Sequence, residues 1–146
     1  NKIINTHMGL LPHYKGMDVV ESPLLDGHLD AVALNTHLMT KGLDEGPLIQ
    51  LMSFNPDDYA FIGELRNEIS AFLPIIALDS LCGLASGRLK PIIQDPNLGK
   101  QYFFVENRLI SMLNDVMNSR NNNLSNQIHR NKNIELFNNF VELFLK

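Results

Sequence analysis

The chain has one cysteine, Cys82, among 146 residues, so no disulfide can form within it. Its apolar neighbours Leu81, Gly83 and Leu84 predict a reduced, buried thiol in a cytoplasmic protein, and with no basic group nearby in sequence they argue against thiol catalysis. Positive charge is scarce: a net charge of -4 argues against a broad nucleic-acid footprint, though a small basic patch would still be compatible. No charged start leads into an apolar signal, and no apolar run reads as long enough to span a bilayer. The longest, around residues 72–78, carries Pro74 and stops at Asp79. Gly-x-Ser-x-Gly, Gly-x-Gly-x-x-Gly and Gly-x-x-x-x-Gly-Lys are all missing, and the histidines lack the close spacing of a metal site. There is no initiator Met either. Asn1 opens almost directly into what reads as an interior strand, so a fragment lacking its N-terminal portion is expected.

What remains is ordinary globular material, 45% hydrophobic and 19% charged, of a length that fits one domain with a real core. Residues 2–6 read as a short buried strand, 8–16 as a loop bounded by Pro and Gly, and 17–27 as a helix disturbed by Pro23. Strands are expected at 31–39 and 47–52. Asn55 or Asp57 can cap a long helix whose apolar positions recur at Ile62, Leu65, Ile69, Phe72, Leu73 and Ile76, with Pro74 a kink or break and Gly87 its end. A short strand or helix lead-in at 101–105 precedes a helix over 107–117. Residues 118–133 are an Asn-rich connector, and 134–146 an amphipathic tail helix expected to serve as a packing or dimer surface. Short strands alternating with helices point to an α/β class.

The chemistry gathers at the start. Asn5 and His7 lie at i and i+2 of the first strand, so both side chains project from one face. A carboxamide beside an imidazole suits chemistry on a carbonyl, the amide steadying an oxyanion while the imidazole moves a proton. Taken alone, a His at a strand end is more often a hydrogen-bonded structural residue, and Asp44 in Gly42-Leu43-Asp44-Glu45-Gly46 is more often a plain turn residue. His37, His13 and His28 sit at strand ends or in loops.

The segment Asn5-Thr6-His7-Met8-Gly9-Leu10-Leu11-Pro12-His13-Tyr14-Lys15-Gly16 resembles the signature of the folate-dependent formyltransferases: Asn-x-His, a Ser-Leu-Leu-Pro-like turn, then an aromatic-basic-Gly element. Asn35-Thr36-His37 is similar to the family's later His-containing strand end, and Leu43-Asp44-Glu45-Gly46 to its Leu-Asp-x-Gly turn at the same separation. Gly9 stands where the family usually has Ser. The match runs from Asn1 to about Leu51.

The resemblance implies a Rossmann-like formyltransferase fold, truncated at the N-terminus and extended by C-terminal helix, with residues 1–117 as the later part of a catalytic domain. It implies formyl transfer from 10-formyltetrahydrofolate to an amine without a metal. Asn5, His7 and Asp44 would be catalytic, with Asp44 holding His7 and raising its pKa, and Gly9, Leu10, Leu11 and Pro12 would wall the folate pocket. A small acceptor such as an amino sugar nucleotide is expected. Methionyl-tRNA, water (a hydrolase of the same fold) and a non-catalytic binding module are the alternatives.

Overall fold

The computed structural model describes residues 3–123. Five strands are found among them: β1 (Ile4–His7), β2 (Tyr14–Gly16), β3 (Ala33–Leu38), β4 (Leu48–Ser53) and β5 (Lys100–Tyr102). Three helices accompany them: α1 (Glu21–Leu25), α2 (Ile62–Ala85) and α3 (Asn107–Asn123). β1, β3 and β4 form an antiparallel sheet in that order, while β2 and β5 make a separate parallel pair. The class is mixed α/β, as the alternation of elements implies.

β3 is buried along its whole length, and its two faces do different work. Leu34 and Thr36 face α2; Leu34 joins Leu65, Ile69, Phe72 and Ile76 in the main core, and Thr36 Oγ1 lies 2.6 Å from Ser80 Oγ. Strand alternation turns Asn35 and His37 to the opposite face. The sheet thus separates an apolar helix-packed side from a polar side covered by loops.

α2 begins later than the Asn55 signal suggests. Asn55 instead caps a short 3-10 turn, Pro56–Asp58, accepting from Asp57 N at 3.3 Å. The first turn of α2 is capped from outside: Ile62 N donates to Asn114 Oδ1 on α3 at 2.9 Å. Pro74 neither breaks nor ends the helix. Ile69 and Phe72 before it and Ile76 and Ser80 after it are buried against the same sheet, and this packing outweighs the missing N–H. At 24 residues α2 is also long and apolar enough to cross a bilayer, a length the broken run around Pro74 does not suggest; its buried stripe lies on the sheet instead.

Three further expectations change. Only Glu21–Leu25 of the 17–27 segment is helical, because Asp18 adopts a positive φ of 47° and is held by Arg66 Nη2 at 2.8 Å and Val105 N at 2.9 Å. Cys82 is exposed, on the side of α2 turned from the sheet. α3 continues to Asn123, so the start of the Asn-rich stretch is helical; the rest of it and the tail over 134–146 lie outside the described residues.

Candidate active site

The polar face of the sheet is set by one register. Asn5 on β1 pairs with His37 on β3, and His7 with Asn35, so all four side chains share the face opposite α2. Asn5 Nδ2 lies 3.1 Å from His37 Nε2. His37 Nδ1 is 3.2 Å from the Leu38 carbonyl, which can only accept, so the ring proton sits on Nδ1 and Nε2 is free to accept from Asn5. Asn35, fully buried, donates from Nδ2 to the Gly9 carbonyl and so ties β3 to the turn after β1.

Asp44 arrives from the loop between β3 and β4. It sits at a φ of 53°, in the left-handed region, and the neighbouring turn fits only because Gly46 has no side chain: a Cβ there would run into the Leu38 carbonyl. Its carboxylate is placed between two imidazoles, Oδ2 at 3.5 Å from His7 Nδ1 and Oδ1 at 3.6 Å from His37 Nε2. Sequence reasoning names Asn5, His7 and Asp44, and all three converge. It leaves His37 out of the site, although strand alternation on β3 could have placed that ring beside Asn5.

β2 supplies the other contacts. His13 O and Met17 N bond to β5, at Lys100 N and Tyr102 O. The alternate residues must then point the other way. Tyr14 O accepts from His7 Nε2 at 2.8 Å, and Gly16 N donates to Asp44 Oδ2 at 2.9 Å. A carbonyl cannot donate, so neutral His7 carries its proton on Nε2 and keeps Nδ1, the nitrogen facing Asp44, as its basic atom.

Burial lowers the His7 pKa below its ordinary value, and this outweighs the upward pull of the Tyr14 carbonyl and the Asp44 charge; His37 adds to the lowering. Asp44 pulls the His7 pKa up as expected, but burial acts more strongly in the opposite direction. For Asp44 itself burial pushes the pKa up, yet the protonated His37 ring donating from Nε2, the bond from Gly16 N and the two histidine charges together hold it below the usual carboxylate value. The site therefore keeps a neutral imidazole beside an ionised carboxylate near neutral pH.

The turn residues Gly9, Leu10, Leu11 and Pro12 divide. Leu11 is 3% exposed and Gly9 is buried, whereas Leu10 and Pro12 are partly exposed. Two cavities flank the site. One of about 300 Å3 opens on His7 and Gly16 and is walled by Met8, Val19, Leu73 and Phe104 on one side and the charged Asp18 and Arg66 on another. A second, about 540 Å3 and more open, lies on the far side of Tyr14 and is lined by Leu10, His28 and Tyr102. Among the described residues no group of three or more His, Cys, Asp or Glu is arranged to hold a metal ion.

Solved structures of known proteins share this fold. The structure of the sugar 3N-formyl transferase WlaRD, solved in the presence of dTDP and 5-N-formyl-THF, superposes with a TM-score of 0.57 at 22% identity, over 68% of this chain and 36% of that one. The chain carries part of a formyltransferase fold. HypX from Aquifex aeolicus in complex with tetrahydrofolic acid also superposes on the chain, with a TM-score of 0.60 at 17% identity over 86% of this chain and 22% of that one. In sequence the chain is related to the methionyl-tRNA formyltransferase of Heliobacterium modesticaldum, 31% identical over 94 residues, or 63% of this chain and 29% of the relative. The chain thus spans about three tenths of the length of the curated relatives it matches. No family model matches it.

Proposed function

We propose that this chain forms the reacting part of a formyltransferase, moving a formyl group from 10-formyltetrahydrofolate to an amine. The observation that carries the proposal is the convergence of Asn5, His7, His37 and Asp44 on one sheet face, with His7 opening on a cavity that has apolar walls at Met8, Val19, Leu73 and Phe104 and a charged side at Asp18 and Arg66. That cavity suits a flat ring system with a reactive group at its polar end, so it fits the formyl-bearing part of a folate. When bound, the folate would supply an activated formyl group. Gly9, Leu10, Leu11 and Pro12 do not line that cavity; Leu10 lines the second one, so this turn would act on the folate only through the part that extends beyond the His7 cavity.

The residues of the chain then divide the work. Asn5, partly exposed and oriented by His37, would donate from its amide to the oxygen on which negative charge builds. His7 would take the proton of the attacking amine at Nδ1, the nitrogen that burial keeps neutral, and return it to the departing nitrogen. Asp44 would stabilise the imidazolium across the short gap to Nδ1. The Tyr14 carbonyl would stop the ring from turning while the proton moves.

A small amine, such as an amino sugar nucleotide, is the preferred acceptor, in keeping with the sugar formyltransferases among the solved structures. Methionyl-tRNA is the second reading, favoured by the curated relatives. A soluble cytoplasmic location belongs to the same proposal. The test is conversion of 10-formyltetrahydrofolate by the intact protein with an amino sugar nucleotide, with methionyl-tRNA, and with neither while formate is measured. Asn5→Ala and His7→Ala should each slow transfer about 100-fold or more. Unchanged turnover in both variants would remove these residues from the mechanism. Formate release alone would make the protein a hydrolase, and no conversion under any condition would favour a binding module.

A further inference from the structure

Gln94 lies far along the chain from Asp44, yet its side chain reaches the Asp44 turn. It is 6% exposed, and one nitrogen, Nε2, donates to two carbonyls of that turn: Asp44 O at 2.9 Å and Gly46 O at 2.5 Å. These two carbonyls bracket Glu45, so a single amide group fixes the turn on both sides of the residue that follows the carboxylate. The turn needs such a hold, because Asp44 is a non-glycine residue at positive φ, a conformation that persists only where its surroundings impose it.

Gln94 is itself held firmly. Ile92, two residues earlier, exchanges both backbone hydrogen bonds with Leu48 at the start of β4, at 2.8 and 2.7 Å. The segment therefore lies along the sheet as a strap over the turn. A second tie joins the same two segments, since the buried Lys15 Nζ lies 3.6 Å from Glu45 Oε1 and 3.4 Å from the Pro96 carbonyl. Among the described residues the Oε1 atom of Gln94 is buried with no partner. A side chain kept there at the cost of an unpaired oxygen is held for what its nitrogen does.

We propose that Gln94 is a positioning residue that holds the Asp44 carboxylate between His7 and His37. This rests on the reading of Asp44 as part of the site, and the test separates the two. In the intact protein the ring protons of His7 are titrated by NMR in the wild type, Asp44→Asn, Gln94→Leu and Gln94→Asn. Asp44→Asn removes a charge that raises His7 and should lower its midpoint. Gln94→Leu, which keeps volume but cannot donate, should reproduce most of that fall with Asp44 intact, and the Gly16 amide should exchange faster with solvent as it loses its acceptor. Gln94→Asn keeps the amide but is too short to reach both carbonyls; it should do the same, and it stands in if the Leu variant does not fold.

A His7 midpoint and a Gly16 exchange rate that stay at wild-type values in the folded Gln94 variants, while Asp44→Asn shifts the midpoint, would overturn the positioning role. A midpoint unmoved by Asp44→Asn would overturn the His7–Asp44 pairing, and the positioning role with it. Neither readout requires turnover, so a failure of the formyl-transfer reading shows separately, as absent conversion in the wild type.

Discussion

At the scale of single residues, Gly9 leaves no room for a side chain beside His7. A Cβ there would lie 2.8 Å from His7 Nε2, from the Tyr14 carbonyl oxygen and from Val19 Cγ2, wedging apart the bond that orients His7. Gly9→Ala should therefore destabilise the fold by about 1–3 kcal/mol in chemical denaturation. It should also weaken turnover more than its distance from the reacting atoms suggests. Gly9 was legible in the sequence only as the Gly that stands in for a Ser; the lack of room around it was not, because it depends on β2 and Val19. The members of the site that lie on strands near the start could be read, since alternation alone places Asn5 and His7 on one face. The net direction of the His7 pKa could not, because burial is set by loops packed from elsewhere.

At the scale of elements, α1 and α2 are joined by a charge pair that the core cannot lose cheaply. Glu21 on α1 is fully buried and receives both Arg66 Nε and Arg66 Nη2 from α2, the latter at 2.7 Å, while Asp18 takes a second bond from the same Arg66 nitrogen. Arg66→Met would leave Glu21 as an uncompensated buried charge and should cost about 3–5 kcal/mol in denaturant titrations. Adding Glu21→Gln to that variant should recover part of the loss, whereas two independent surface charges would give additive effects. α2 itself was plain in the sequence, for Leu65, Ile69, Phe72 and Ile76 recur at helical spacing and all four are buried. β2 was hidden. Three residues carry no periodicity, and its partner β5 is remote in sequence, so the segment reads as loop until the pairing is known.

At the scale of the whole molecule, stability should respond to acid in two stages. The folded state holds His7 below the ordinary imidazole value, so it binds fewer protons there than the unfolded chain. Stability is then lost as pH falls below about 6.5. Asp44 is held below its ordinary value of 3.8, so a further loss begins as pH falls through that value. Urea midpoints measured between about pH 5 and 7 should decline in the wild type and flatten in His7→Gln, which has no ring to protonate.

The two sheets meet at this same pair of groups. β2 bonds β5 along one edge and, along the other, holds His7 through Tyr14 O and Asp44 through Gly16 N. Imidazole and carboxylate are thus gripped from one short strand, with a single residue, Lys15, between the two holds. Their spacing is gauged by the length of a peptide unit rather than by how the larger sheet flexes, so β1 and the Asp44 loop can shift only in step.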